Sequence, residues 1–120
     1  PRSFELAVAG PAALLTAKTI KISERLDQAD RQPDRLKEKD ALDAFRLLQS
    51  IETAELVLGF HSHRANEHAA AVSAEAIEVL RQQASTANGA IAVLAATAAS
   101  GDPTIAPSFA ALTNQLLAAL

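Results

Sequence analysis

The sequence has no cysteine, tryptophan, tyrosine or methionine, and its only aromatic residues are four phenylalanines. Without cysteine, disulfides, thiolate metal sites and cysteine nucleophiles are excluded. So few aromatic residues also argue against a base-stacking platform, which needs several of them. The net charge of −3 over 120 residues is not that of a cationic nucleic-acid binder. We therefore expect no strong nucleic-acid binding by this chain.

Long apolar runs are also missing. The longest late run, residues 90–99, is far shorter than the ~18 residues that a membrane span needs. Residues 6–17 resemble a short signal-peptide core behind Arg2, but Glu5 interrupts its start and its helical pattern continues into Lys18. We therefore predict no membrane association and a cytoplasmic location. Pro1 is interpreted either as the residue left after removal of the initiator or as the start of an excised fragment.

Alanine fills 28 of the 120 positions and hydrophobic residues make up 49%, which is typical of a helical bundle with close backbone contacts. Periodicity predicts a single all-α domain of about five helices, preceded by a short strand at residues 3–9. The strand has no pairing partner here, so it belongs either to a sheet outside this chain or to an extended arm. The predicted helices cover residues 11–29, 38–60, 65–84 and 90–99, and a last one that Ser108 caps. The expected punctuation is Gly10-Pro11 before the first helix, Gly59 at the end of the second, Asn88-Gly89 before the fourth and a turn at Gly101-Asp102-Pro103.

The charged residues are concentrated in one segment. Of 25 charged residues, 15 lie between Lys18 and Arg46, and only one basic residue, Arg81, follows Arg64. A solvated helix-loop-helix would explain this density without any chemistry. The alternative is that the polar function of the chain is located in this window.

Three charged residues of the window lie on or beside apolar helix faces. On a helical wheel, Lys18 falls between Leu14 and Ile22, which is typical of a lysine that either snorkels or binds an anion. Asp40 and Asp43 fall beside the stripe of Leu47, Ile51 and Leu58. An inward-facing carboxylate needs a partner, so both aspartates either cap the helix start, with Asp40 as the N-cap, or bind a cation. Lys18 precedes Asp40 by 22 residues, as Lys21 precedes Asp43, so two antiparallel helices could join both pairs in a salt bridge or a phosphate and metal site.

Two segments carry a family resemblance: VAGPAALLTAK at residues 8–18 and RLKEKDALDAFRLL at residues 35–48. Together they resemble the C-terminal half of AbiEii-type nucleotidyltransferases. These enzymes belong to the DNA polymerase-β-like superfamily and include toxins of toxin–antitoxin pairs. The shared pattern is a short strand, a helix with Leu-Leu and a lysine, a loop with an arginine, and a Lys-Asp-x-x-Asp helix. The match covers less than half of the chain.

The resemblance implies roles for five residues. Lys18 would bind the nucleotide triphosphate, with Lys21 as its rival, and Arg35 would bind phosphate or pair with an aspartate. Asp40 would be the motif aspartate in the catalytic centre, with Asp43 as its structural or catalytic companion. The resemblance also implies that residues 1–60 form a nucleotidyltransferase-like hairpin, whereas residues 61–120 are accessory alanine-rich helices.

One departure from the family is large. Such transferases hold two Mg²⁺ ions and the triphosphate with a Gly-Ser pair and an Asp-x-Asp pair, and this sequence contains neither. We therefore expect the chain to be the C-terminal part of a longer transferase that uses Mg²⁺ and an NTP. We expect no metal or cofactor on this chain alone, and no activity from it. A cognate antitoxin is the partner that the resemblance implies.

The alternative is a non-catalytic helical module for dimerisation or partner binding, whose charged hairpin is a solvated surface. The genomic sequence upstream of Pro1 discriminates between the two hypotheses. His61, His63 and His68 form a further polar group, which we interpret as an interhelix connection rather than a metal site because no cysteine or nearby aspartate accompanies it.

Overall fold

The computed structural model describes residues 10–28 and 38–120, and all regular structure in these ranges is α-helical. The predicted all-α class is confirmed. The predicted strand at residues 3–9 lies outside the described ranges. Six helices are described in chain order: α1 (Gly10–Gln28), α2 (Glu38–Ser50), α3 (Thr53–His63), α4 (Glu67–Gln83), α5 (Ala90–Ala98) and α6 (Ile105–Ala119).

The core consists of large apolar side chains together with many buried alanines. Phe45 of α2 and Phe109 of α6 pack as a tilted aromatic pair with ring centroids 5.6 Å apart. α2 also packs against α5, and both helices carry fully buried alanines, which lets their backbones approach closely. Other buried side chains of the core include Leu15, Ile22, Leu56, Leu80, Ile91 and Leu116.

The predicted second helix, residues 38–60, is wrong as one continuous element. The backbone of Glu52 is extended, with φ −57° and ψ 137°, so α2 ends at Ser50 and α3 begins at Thr53. The carbonyl oxygen of Glu52 then accepts hydrogen bonds from Glu55 and Leu56, which starts the new helix. The apolar pattern runs through this break without a gap, so periodicity gave no signal of it.

The break redirects the apolar face of the second segment. Leu56 and Phe60 are buried, whereas Leu58, which the wheel placed on the apolar stripe, is 70% exposed. Gly59 was expected to end a helix, but it lies inside α3 against Ala12 of α1. A Cβ atom added at Gly59 would lie 2.6 Å from the Cβ of Ala12, so glycine is required there for the close approach of two helices.

The later boundaries are closer to the prediction. Gly89 precedes α5 as its N-cap, where the Asn88-Gly89 break was expected. In the predicted turn after α5, Asp102 accepts hydrogen bonds from the backbone N–H and the hydroxyl of Thr104, and these bonds lower the pKa of Asp102. Ser108 does not cap the last helix, because α6 already begins at Ile105 and the N–H of Ser108 donates to the carbonyl of Thr104.

The expectation that no segment spans a membrane can be compared with the described helices. None of the helices in residues 10–28 and 38–120 is both long and apolar enough to cross a membrane.

Candidate functional site

Two helices bring four of the predicted site residues together. Lys18 and Lys21 lie one turn apart on α1, and Asp40 and Asp43 lie one turn apart on α2. Because residues three apart on a helix share a face, each helix presents two like charges to the other. We call this group of Lys18, Lys21, Asp40 and Asp43 the hairpin cluster.

The contacts in the hairpin cluster are asymmetric. The Nζ atom of Lys18 lies 3.3 Å from Oδ1 of Asp40 and 3.3 Å from Oδ2 of Asp43, so one ammonium bridges both carboxylates. Lys21 Nζ lies 3.4 Å from the other oxygen of Asp40. The expected Lys18–Asp40 pair is therefore observed, with Lys18 at the centre, whereas Lys21 pairs with Asp40 and not with Asp43 as the spacing suggested. A charge-assisted N–H···O bond is usually about 2.7–2.9 Å long, so the ammonium is shared rather than tightly bound to one partner.

Burial distinguishes the members of the hairpin cluster. The Asp40 side chain is 12% exposed, that of Lys18 is 32% exposed, and that of Lys21 is 47% exposed. Asp40 is the residue that most needs its partners, because an unpaired carboxylate at this depth loses hydration without compensation. Lys21 can reach solvent freely, and its contact with Asp40 is of the weak surface kind.

The electrostatic environment of Asp40 and Lys18 keeps both side chains charged. Desolvation raises the pKa of Asp40, but hydrogen bonding to Lys18 and the charges of Lys21 and Lys18 outweigh it, so the pKa is lowered overall. For Lys18, desolvation lowers the pKa, whereas hydrogen bonds and charge interactions with Asp43 and Asp40 raise it by more. The two groups are therefore an ion pair across the ordinary pH range.

The helix-capping interpretation of Asp40 is wrong. The residue lies inside α2, in its first turn, because the helix already includes Glu38. Asp40 still favours the positive end of the helix dipole from that position. Its specific partners, however, are the ammonium groups of α1, which sequence spacing offered only as one of two interpretations.

The hairpin cluster opens onto a shallow groove of about 300 Å³ between α1 and α2. Leu14 and Leu47 form its apolar part, and Lys18, Asp43 and Arg46 form its charged part. Arg46 was not among the residues singled out from the sequence. It lies one helical turn after Asp43 and therefore on the same face of α2, and this spacing could have identified it. Lys18, Lys21 and Arg46 against two carboxylates leave one positive charge in excess, which suits an anion more than a metal cation.

The remaining residues that the sequence singled out are Arg35 and the three histidines. Arg35 lies outside the described residues. Among the residues that are described, no group of three or more histidine, aspartate or glutamate side chains could hold a metal ion. Of the three histidines, His61 and His68 are exposed, and Nδ1 of His63 lies 2.6 Å from the hydroxyl of Ser73.

Comparison with known proteins adds no assignment. The chain matches no protein-family model, no curated protein and no solved structure.

Proposed function

We propose that this chain is the C-terminal helical part of a nucleotidyltransferase that moves a nucleotide from an NTP to an acceptor. The observation that carries the proposal is the contact between the two segments that resemble AbiEii-type enzymes. Lys18 of the first segment touches Asp40 and Asp43 of the second, across 22 and 25 positions of sequence. The motif residues thus form one spatial group, as a shared site requires.

In this proposal the lysines and aspartates have different tasks. Lys18 binds the triphosphate, because its ammonium is one-third exposed beside a groove with an excess of positive charge. Asp40 and Asp43 are positioning residues that hold the Lys18 ammonium from the side of α2. Two long ion pairs fix its direction while leaving the ammonium able to donate to a phosphate oxygen. Lys21 and Arg35 are the further phosphate ligands that the resemblance implies.

The chemistry itself needs groups that this sequence lacks. Mg²⁺ would be held by an Asp-x-Asp pair and the triphosphate also by a Gly-Ser pair, and both are missing from the sequence. The described part of the hairpin contributes a phosphate-facing cation and the carboxylates that orient it. A cytoplasmic location and a cognate antitoxin are part of the same proposal.

Two proteins test the proposal together: the 120-residue chain and the product of the complete reading frame that encodes it. Each is incubated with labelled NTPs, Mg²⁺ and a mixture of RNA and protein acceptors, and transferred label is counted. We expect the complete product to have an upstream segment with Gly-Ser and Asp-x-Asp and to transfer the label, and we expect no transfer by the 120 residues alone. Transfer by the 120 residues, or a reading frame that starts immediately before Pro1, would overturn the proposal.

A second candidate function is a non-catalytic helical module that binds a partner or a second copy of the chain. The observation that favours it is the exposure of two large apolar side chains, Leu58 at 70% and Leu14 at 51%. Light scattering of the wild type and of a Leu58→Ser variant tests this candidate. A dimer that dissociates in the variant supports the module, and a wild-type monomer at all concentrations contradicts self-association.

A further inference from the structure

A second pocket lies between α3, α4 and α6 and shares no lining residue with the groove beside Lys18. Its volume is about 460 Å³, within the range of about 300–1,000 Å³ that is usual for small-molecule sites. Phe60, Ile77, Leu117 and Leu120 form an apolar part of its wall. A ligand of this pocket therefore needs an apolar body.

The charged side chains of this pocket are two arginines and one glutamate. Arg81 donates to Oε1 of Glu78 at 2.7 Å, and Gln82 donates to Oε2 at 3.0 Å, so both oxygens of Glu78 are already engaged. Arg64 has no ion pair within residues 10–28 and 38–120. The guanidinium of Arg64 is the group that can accept an anion, and its planar fork matches a carboxylate in a two-point contact.

The buried hydroxyl of Ser73 adds a polar group to the pocket wall. Ser73 is 5% exposed, and its Oγ lies 2.6 Å from Nδ1 of His63. The ring of His63 is itself held edge-on by Phe60, with centroids 5.8 Å apart. When Nδ1 of His63 carries the proton and donates to Ser73, the serine hydrogen is available to an acceptor in the pocket. Ser73 then supplies a neutral donor beside the arginines.

We propose that this pocket binds a small amphipathic carboxylate, with its apolar chain against Phe60, Ile77 and Leu117 and its carboxylate between Arg64 and Ser73. The apolar wall distinguishes this ligand from a free inorganic anion, which would gain nothing from that surface. The pocket does not depend on the nucleotidyltransferase proposal, since the two sites have no residue in common.

Octanoate is the probe for the test, with octanamide as the uncharged analogue and acetate as the analogue without a chain. Each compound is titrated into the 120-residue protein while NMR signals of the leucine methyl groups and the arginine side chains are followed. We expect saturable octanoate shifts at Leu117 and Arg64, binding of octanamide at least fivefold weaker, and no saturation by acetate.

Variants then separate the charged contact from apolar adsorption. Arg64→Gln should weaken octanoate at least fivefold and leave octanamide unchanged, and Ser73→Ala should weaken octanoate about twofold or more. Lys39→Gln is the matched control, because it removes one exposed positive charge from α2, which does not line the pocket. Arg64→Lys checks that an effect of Arg64→Gln reflects lost charge and not altered folding. Equal affinity for octanoate and octanamide, or equal octanoate affinity in Arg64→Gln and Lys39→Gln, would overturn the proposal.

Discussion

Two contacts of α2 differ in almost every physical respect. α2 packs against α5, and Ala41 and Ala44 of α2 and Ala92 and Ala95 of α5 are all fully buried. Toward α1, α2 presents Asp40 and Asp43 to lysine ammonium groups that remain 32–47% exposed. The alanine contact is dry, whereas the charged contact is wet and held by ion pairs longer than 3 Å.

This difference indicates that one face of α2 provides stability and that the other face positions the charged groups of the hairpin cluster. Burial of apolar area stabilises the fold by about 25 cal/mol per Å², whereas half-exposed ion pairs contribute roughly 0–1 kcal/mol each. The alanine face therefore fixes where α2 lies. The charged face adds little stability, but it determines where the ammonium of Lys18 points. Substitutions on the two faces should consequently separate loss of folding from loss of function.

The largest expected effect is in the apolar core. Phe109→Ala removes a fully buried ring that packs on Phe45 and should destabilise the chain by ~3–5 kcal/mol. Urea unfolding followed by circular dichroism measures the change, and Phe109→Leu provides a milder variant that stays folded. Val93→Ala is the control, because Val93 is 46% exposed, and it should cost at most about 0.5 kcal/mol. Similar midpoints for Phe109→Ala and Val93→Ala would contradict the assigned core.

The second-largest loss of stability is expected where α1 and α3 approach closely. In Gly59→Ala the new Cβ meets Ala12 and should cost about 1–3 kcal/mol by overpacking. Ala12→Gly removes the opposing Cβ, at a cost of about 1 kcal/mol for glycine in a helix. In the double variant the clash is absent, so the combined loss should be smaller than the sum of the single losses. Additive losses would show that these two positions do not touch.

The Asp40 ion pair should contribute less than the core. Asp40→Asn should cost about 1–2 kcal/mol at neutral pH, because it leaves Lys18 and Lys21 without their shared carboxylate. Glu55→Gln on α3 is the control, because Glu55 is an exposed acid with no contact to the hairpin cluster, and it should be near neutral.

The contribution of Asp40 to the unfolding free energy should depend on pH. The pKa of Asp40 is lowered in the fold, so its ionised form stabilises the folded chain above the ordinary carboxyl pKa near pH 4. This contribution is lost as the pH falls through the folded-state pKa. The difference in unfolding free energy between wild type and Asp40→Asn should therefore be full at pH 6–7 and shrink below about pH 4. A difference that does not depend on pH would contradict the ion pair.

The smallest expected effect separates the two lysines. Lys18→Met should lower stability by about 1 kcal/mol, since it leaves two carboxylates without their common partner. Lys21→Met removes one half-exposed contact and should cost at most about 0.5 kcal/mol. Lys39→Met, at an exposed position of α2, sets the baseline. Equal midpoints for all three variants would show that Lys18 is not central to the hairpin cluster.

The sequence predicted the parts of the fold that local signals control. Proline and glycine punctuation located α1, α5 and the turn after α5. The 22-residue spacing of Lys18 and Asp40 anticipated their contact, whereas the equally spaced Lys21 and Asp43 do not pair. The break at Glu52 was not predictable, because residues 50–53 contain no proline or glycine that would stop a helix, so local signals did not reveal it. The His63–Ser73 contact was missed for the same reason, since two different helices bring these residues together.

The partners of Asp40 show where prediction from the sequence ends. Its position near a helix start favours a cap over an ion-pair partner, and sequence spacing alone does not reverse that preference. The bridging role of Lys18 depends on the rotation of α1, which places Leu15 and Ile22 in the core and leaves Leu14 half exposed. That rotation results from packing against three other helices, which no local pattern encodes.

The most direct measurement is nucleotide transfer by the product of the complete reading frame with Lys18 changed to Met or to Arg. If Lys18 binds the triphosphate, Lys18→Met should lower the transfer rate at least tenfold, which corresponds to about 1.4 kcal/mol in the barrier. Lys18→Arg should recover part of the rate, because the positive charge is kept. Each variant is assayed at a temperature where circular dichroism shows it fully folded. Unchanged transfer by folded Lys18→Met would contradict the proposed role of the hairpin cluster.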